Sequence, residues 1–315
     1  MRSWLEEELG GAKVDELVRK AFTFMPQLVR ATPRLFALEL YPGPSLAFKD
    51  FGARFMVQCL ALFSGKDKIT ILTATSGDTG AAVADAFYGL NNIRVVILYP
   101  KNKISPLQEK LFCTLGKNIH TLAVDGDFDA CQNLVKTAFE DEELKSKLKL
   151  NSANSINISR LMAQVCYYFE GVARFRDVYG KNVLPVVAVP CGNFGNLTAG
   201  FYAKAMSLPI KRFVAATNAN DTVPRFLKNS VWEPHKTVAT MTNAMDVSEP
   251  SNWERVMEHF KKMQVHVIGN NWQMNEANIQ GISITEEQTV AAMKALHKQG
   301  YVAEPHTALA SCGLS

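Results

Sequence analysis

Lys68-Ile69-Thr70-Ile71-Leu72-Thr73-Ala74-Thr75-Ser76-Gly77-Asp78-Thr79-Gly80-Ala81-Ala82 decides the fold class of this chain. Lys68 to Thr73 is rich in β-branched residues and predicts a strand. Ser76 to Gly80 is a tight turn that carries two hydroxyls, and Ala81 to Tyr88 is an alanine-rich helix. Arg94 to Tyr99 is a second strand, closed by Pro100. Strand, turn, helix and strand in this order imply a parallel sheet covered by helices.

The same alternation runs downstream. Ile104 to Leu115 predicts a helix that opens on Ser105-Pro106, a good cap and first-turn pair. Ile119 to Val124 is a strand and Asp127 to Phe139 a helix. Asp141 to Lys149, with acids first and lysines last, is a solvated surface helix. A second set follows: helix Ile158 to Phe169, the apolar strand Val183 to Val189, a glycine turn at Pro190 to Asn196, helix Leu197 to Met206 and strand Arg212 to Thr217. Thr222 to Lys228, Trp253 to Lys261 and Glu286 to Gln299 read as helices, and Lys262 to Ile284 as irregular. Upstream, Val14, Leu17, Val18 and Ala21 form a helical stripe, and Leu35 to Leu40 is a short strand between prolines. Phe51, Phe55, Met56, Cys59, Leu60 and Phe63 recur at helical steps until Ser64-Gly65. The fold class is α/β: two open, twisted, mostly parallel sheets flanked by helices, with the active site expected in the cleft between them.

Bulk properties narrow the function. At 315 residues, 47% hydrophobic and 20% charged, the composition is that of a globular protein of one large or two medium domains. A net charge of +4 with scattered lysines and arginines argues against nucleic acid, and no apolar run approaches a membrane span. The start is acidic where a signal peptide would be apolar. Cys59, Cys113, Cys131, Cys166, Cys191 and Cys312 stand far apart, as buried thiols rather than a disulfide framework. The histidines form no close pair, so no metal is expected. These features predict a cytoplasmic protein.

Chemistry centres on Pro44-Ser45-Leu46-Ala47-Phe48-Lys49-Asp50-Phe51. Lys49 is a lone cation among apolar neighbours, and desolvation favours the neutral amine that forms imines with aldehydes. Taken alone, a snorkelling lysine is the simpler reading. Gly192-Asn193-Phe194-Gly195-Asn196 follows a strand and opens a helix, an arrangement of amides that cradles an anion. It is neither a dinucleotide fingerprint nor a Walker loop, so a small phosphate monoester fits it better than a nucleotide. The turn holding Ser76, Gly77, Asp78 and Thr79 suits a substrate carboxylate, or an ordinary capped helix start. Asn151 to Arg160 is a polar loop whose Arg160 could grip a phosphate or make a structural salt bridge. An imine-forming lysine, a phosphate cradle, a carboxylate turn and an arginine-bearing loop together suit pyridoxal 5'-phosphate and a small amino acid.

Leu46-Ala47-Phe48-Lys49-Asp50-Phe51-Gly52 closely resembles the lysine motif of the bacterial threonine synthases, pyridoxal-phosphate enzymes of the tryptophan-synthase-β type, fold type II. Thr73 to Ala82 resembles their substrate loop and Gly192 to Gly195 their cofactor-phosphate loop. Asn151 to Arg160, Asn220 to Arg225 and Asn243 to Asp246 are also similar, so the resemblance runs from about residue 13 to the end. It implies conversion of O-phospho-L-homoserine and water to L-threonine and phosphate, by γ-elimination and then β-addition of water. It implies that Lys49 carries the cofactor and moves protons, and that Gly192, Asn193, Phe194, Gly195 and Asn196 hold the cofactor phosphate. Ser76, Gly77, Asp78 and Thr79 would serve the amino-acid end of the substrate, and Ser155 and Arg160 its phosphate. Cys191 stands where the family leads one to expect serine, and Ser45 where threonine is usual. By the same resemblance the chain lacks N- and C-terminal parts, including the usual partner of the pyridine nitrogen. The domains expected are residues 1–44 as a segment packing on the larger domain, 45–155 for the lysine and substrate loop, and 156–315 for the cofactor phosphate. Two alternatives stay open: another small amino-acid dehydratase or lyase of this fold, and a non-catalytic fragment that binds a ligand or partner.

Overall fold

The computed structural model describes residues 1–63, 65, 67–155, 157–262, 267–268, 271–272 and 279–314. In chain order its elements are α1 (Arg2–Leu9), α2 (Gly11–Ala21), β1 (Gln27–Arg30), β2 (Phe36–Glu39), α3 (Lys49–Phe63), β3 (Ile69–Ala74), α4 (Asp78–Phe87), β4 (Ile93–Pro100), α5 (Pro106–Cys113), β5 (Ile119–Val124), α6 (Phe128–Glu140), α7 (Glu142–Leu148), β6 (Leu150–Ser152) and α8 (Ile158–Tyr179). Then follow β7 (Val186–Pro190), α9 (Gly195–Ala205), β8 (Arg212–Thr217), α10 (Thr222–Asn229), a single 3-10 turn (Asn243–Met245), α11 (Trp253–Lys262), β9 (Val267–Ile268), β10 (Asn271–Trp272), β11 (Ile279–Ser283), α12 (Glu286–Lys298) and α13 (Pro305–Cys312). The chain divides into one unit of Met1–Met25 with Leu40–Gln164, and another of Pro26–Glu39 with Val165–Ser315.

In the first unit four strands run parallel in the order β5-β4-β3-β6. Alternate residues of β3 face opposite ways, as the period of a strand requires. Ile71 packs with Ala53 and Met56 of α3, Ala82 and Phe87 of α4, and Phe112 of α5. Leu72 and Ala74 pack with Cys131 and Val135 of α6 on the other face. Both faces are therefore covered, which is why these strands read as near-continuous apolar runs. At the N-terminal end, Leu17 and Ala21 of α2 bury against Phe55 and Ala163.

The second unit has a parallel sheet in the order β11-β8-β7. Phe213 on one face meets Phe201 of α9 and Tyr168 of α8 edge-on. Ala216 on the other face clusters with Leu309 and Ala310 of α13. The hairpin β1-β2 belongs to this unit, where Leu38 lies against Gly171 of α8 so closely that a Cβ on Gly171 would meet it at 2.8 Å.

Several elements differ from the pattern-based expectation. The segment 1–44 is shared between the units, because α2 buries its stripe on α3 while the hairpin buries Leu38 on α8. The first unit extends to Gln164, nine residues beyond the boundary expected at 155, since the start of α8 packs with α2 and α3. The helix expected to end at Phe169 continues to Tyr179. Val183 and Leu184, expected in a strand, precede β7 and are exposed. Within the span read as irregular, β11 is a parallel strand whose Ile279 pairs with Phe213, whereas 263–266, 269–270 and 273–278 lie outside the described residues. Ser64, half of the expected helix stop, also lies outside them. All six cysteines are free, with Cys131 and Cys191 buried and the other four partly exposed. Among the described residues no helix is long and apolar enough to cross a membrane.

Candidate active site

The strand order β5-β4-β3-β6 reverses direction at β3. The chain steps outward from β3 to β4 to β5, then returns to the far side of β3 as β6. Loops leaving β3 and β6 therefore part at their carboxyl ends, the switch point where open α/β sheets bind ligands. Those two loops are the glycine turn at 75–80 and the polar loop that opens at Ala153.

The first loop is built around Thr75, whose Oγ1 accepts from the amides of Gly77 (2.9 Å) and Gly80 (2.8 Å). Gly77 has a φ of 132°, open to glycine but strained for a side chain. This curl puts Asp78 at the first turn of α4, where its carboxylate suits the positive end of the helix. Asp78 Oδ2 accepts from Lys49 Nζ at 2.9 Å, with the lysine side chain 14% exposed and that of Asp78 25%. Asp78 Oδ1 accepts from Gln108 Nε2 at 2.7 Å.

Lys49 is the first residue of α3, and its Nζ also lies 4.8 Å from the centre of the Phe48 ring. Its sequence neighbours are apolar, but its partner in space is a carboxylate 29 residues downstream. The approach to Lys49 is held by Asp50, fully buried, whose Oδ2 accepts from the Ser45 amide at 2.9 Å. Burial pushes the Asp50 carboxyl upward, against the bonds from Ser45. Leu46, within this turn, has a φ of 58° and is exposed. For a leucine that conformation costs roughly 1–2 kcal/mol, a strain of the kind that accumulates at functional sites.

The second loop is latched by Asn154. Its Nδ2 donates to Ala74 O (2.9 Å) and its Oδ1 accepts from Ala74 N (3.2 Å) and from Thr73 Oγ1 (3.2 Å). The side-chain amide thus continues the β3–β6 pairing after β6 has ended. Ser155 comes next along the loop and is half-buried. Arg160 is 2% exposed, and its Nη1 donates to the carbonyl of Ala153 at 2.6 Å. Gly52 lies against its backbone, so closely that a Cβ there would meet the Arg160 carbonyl at 3.2 Å. Through Nη1, Arg160 braces the loop at the Ala153 carbonyl.

In the second unit the turn at 192–196 leads from β7 into α9. Gly192 packs on the backbone of the 3-10 turn, where a Cβ would meet Met245 Cα at 2.7 Å. Asn193 Oδ1 accepts from the amide (2.6 Å) and hydroxyl (3.0 Å) of Ser251. Phe194 is the N-cap of α9 at φ 59°, with its ring edge-on to Trp253. Asn196 Oδ1 accepts from Tyr167 (2.6 Å) and Tyr168 (2.7 Å). The side chains thus turn into the unit and none of them caps α9. Helix geometry gives its first amides no intrahelical carbonyl, which leaves them as donors at the start of α9. Cys191 is buried and its Sγ lies 3.2 Å from Val189 O.

Behind this turn lies a polar cluster. Asp246 Oδ1 accepts from Thr240 Oγ1 (2.7 Å) and Asn218 Nδ2 (2.9 Å), and Oδ2 from the Thr240 amide (3.0 Å). Burial pushes the Asp246 carboxyl up to about 6, with the bonds from Thr240 and Asn218 opposing it.

A family model described as "Pyridoxal-phosphate dependent enzyme" matches residues 25–314. Threonine synthase of Haemophilus influenzae is 60% identical over 306 residues, covering 97% of this chain and 69% of that protein. The chain belongs to the threonine synthase family of pyridoxal-phosphate-dependent enzymes. The crystal structure of the Escherichia coli threonine synthase superposes with a TM-score of 0.91 at 55% identity, covering 99% of this chain and 71% of that one. The pyridoxal-phosphate-bound structure of the Brucella melitensis threonine synthase gives 0.84 at 32% identity, covering 99% and 72%. The chain thus spans about 70% of the length of these relatives. The family's cofactor is pyridoxal 5'-phosphate, and each unit holds chemistry that suits such a group: the first a partly buried lysine amine, the second an uncapped helix start preceded by a bare Gly192.

Pattern reading singled out Lys49 and Asp78, which the fold brings together. It missed Gln108 and Asn154 as partners. Ser105-Pro106-Leu107-Gln108 does carry the Ser-x-x-Gln signature of a capping box, and the box is present. Nothing in its spacing announces the bond to Asp78.

Proposed function

We propose that the chain converts O-phospho-L-homoserine and water to L-threonine and phosphate. The observation that carries the reading is the partly buried Lys49–Asp78 pair at the switch point of the first sheet. When bound, the cofactor supplies an electron sink at the substrate's α-carbon. Lys49 would bind its aldehyde and, once freed by the substrate, take and return protons at neighbouring carbons, so that phosphate leaves the γ-carbon and water adds at the β-carbon.

The amides of Gly192, Asn193, Phe194, Gly195 and Asn196 would hold the cofactor phosphate, with the α9 dipole adding to their charge complementarity. Ser76, Gly77, Asp78 and Thr79 would take the amino-acid end of the substrate. Ser155 and Arg160 would meet the substrate phosphate, with Arg160 braced at the Ala153 carbonyl. A cytoplasmic site of action accords with this metabolic role.

The test is spectroscopic and chemical. The chain mixed with pyridoxal 5'-phosphate is expected to give a visible imine band that Lys49→Ala abolishes, and to release phosphate from O-phospho-L-homoserine. A folded sample with neither band nor phosphate release would overturn the reading. Release of 2-oxobutyrate from threonine without phosphate from phosphohomoserine would make it a dehydratase instead.

A further inference from the structure

We propose that Gln108 is a positioning residue for the Lys49–Asp78 pair, acting as the hydrogen-bond donor that fixes the Asp78 carboxylate; this rests on the role given to Lys49 above. The side chain is held at both ends. Gln108 Oε1 accepts from the Ser105 amide at 3.0 Å, so the atom 2.7 Å from Asp78 Oδ1 must be Nε2. A carboxylate only accepts, which makes this orientation of the amide the one that satisfies both partners. Gly77 makes room for it, since a Cβ there would lie 2.5 Å from Nε2 and 2.6 Å from Oε1.

The consequence is geometric. With Oδ1 tied to Gln108, Asp78 keeps Oδ2 aimed at the Lys49 amine, which can return to one place each time it has carried a proton. Donation from an amide also spreads the carboxylate charge and discourages Asp78 from taking the ammonium proton itself.

Gln108 already has a lesser role as the third residue of the α5 capping box, where glutamate serves as well as glutamine. That equivalence separates the two roles. Gln108→Glu keeps an acceptor for the Ser105 amide, loses the donor to Asp78 and sets a second carboxylate against the first. If Gln108 positions Asp78, the pH profile of imine formation between the cofactor-free variant and pyridoxal 5'-phosphate shifts upward by about one unit, because a second negative charge holds the Lys49 proton. In the same variant kcat falls about tenfold near neutral pH, and it recovers toward acid, where two facing carboxylates share a proton and a donor returns.

A folded Gln108→Glu with the parental imine profile and pH–rate curve would confine Gln108 to its cap and overturn the proposal. Should this variant fail to fold, Gln108→Met removes the donor without adding charge. It is expected to lower kcat while moving the imine profile less than Gln108→Glu does, and a parental kcat would equally overturn the proposal. Persistence of the imine band in Lys49→Ala would instead sink the role of Lys49, a separate outcome.

Discussion

Gly192→Ala is the sharpest perturbation of the proposed phosphate cradle. An alanine Cβ would stand 2.7 Å from Met245 Cα and 3.2 Å from the Ala244 carbonyl, both backbone atoms with no rotamer to adopt. The 3-10 turn carrying them is braced by Met245 N to Thr242 O and Val247 N to Met245 O, each 2.8 Å, and Met245 is buried. The loop at 192–196 is therefore the side that yields. Reaching ordinary contact at 3.4 Å needs an opening of about 0.7 Å. A charge-assisted amide bond of about 2.8 Å would stretch to about 3.5 Å, past the useful range. Hydrogen bonds to charged groups are worth about 1.5–3 kcal/mol, so each one lost weakens cofactor binding by about 10- to 100-fold. Equilibrium titration of the cofactor-free variant with pyridoxal 5'-phosphate, in phosphate-free buffer, measures this directly. A folded variant whose affinity stays within twofold of the parent would refute the placement of the cofactor phosphate on this loop.

Two other outcomes follow from the geometry. Asn154→Ala strips the side-chain partners from the Ala74 amide and carbonyl, at roughly 1–3 kcal/mol for each buried group left unpaired. Urea unfolding should show a loss of about 2–6 kcal/mol, and KM for O-phospho-L-homoserine should rise as the 153–155 loop loosens. Asp246, raised to about 6 from an ordinary 3.8, binds its proton more tightly in the folded chain than in the unfolded one. Its contribution to stability is therefore full below about pH 4 and is lost as pH rises through about 6. Asp246→Asn should flatten that part of the melting-temperature profile between pH 4 and 7, and an unchanged slope would assign it to other groups.

The fold was largely legible because its signals are local. Strand β3, the turn at 76–80 and helix α4 follow one another within twenty residues, and each has its own period or turn chemistry. Lys49 and the turn at 192–196 stood out for the same reason. What escaped were contacts that join distant parts of the chain. The bond from Gln108 to Asp78 spans 30 residues and that from Asn154 to Ala74 spans 80, and neither leaves a trace in spacing. Strand β6 is only three residues long, too short to show a period, and overlaps the polar loop expected from Asn151. The burial of Arg160 is likewise invisible in spacing, because arginine is seldom fully buried.

The latch of Asn154 onto Ala74 bears on how the first unit is made. Strands β3, β4 and β5 can zip together from neighbours in sequence, but β6 must find β3 after the intervening chain has collapsed. Closing a loop of 80 residues is entropically costly and is rewarded only when the partner edge exists. The polar loop is therefore expected to gain protection from hydrogen exchange later than the core strands during refolding. On this account the loop proposed to recognise substrate matures last, onto a scaffold already set.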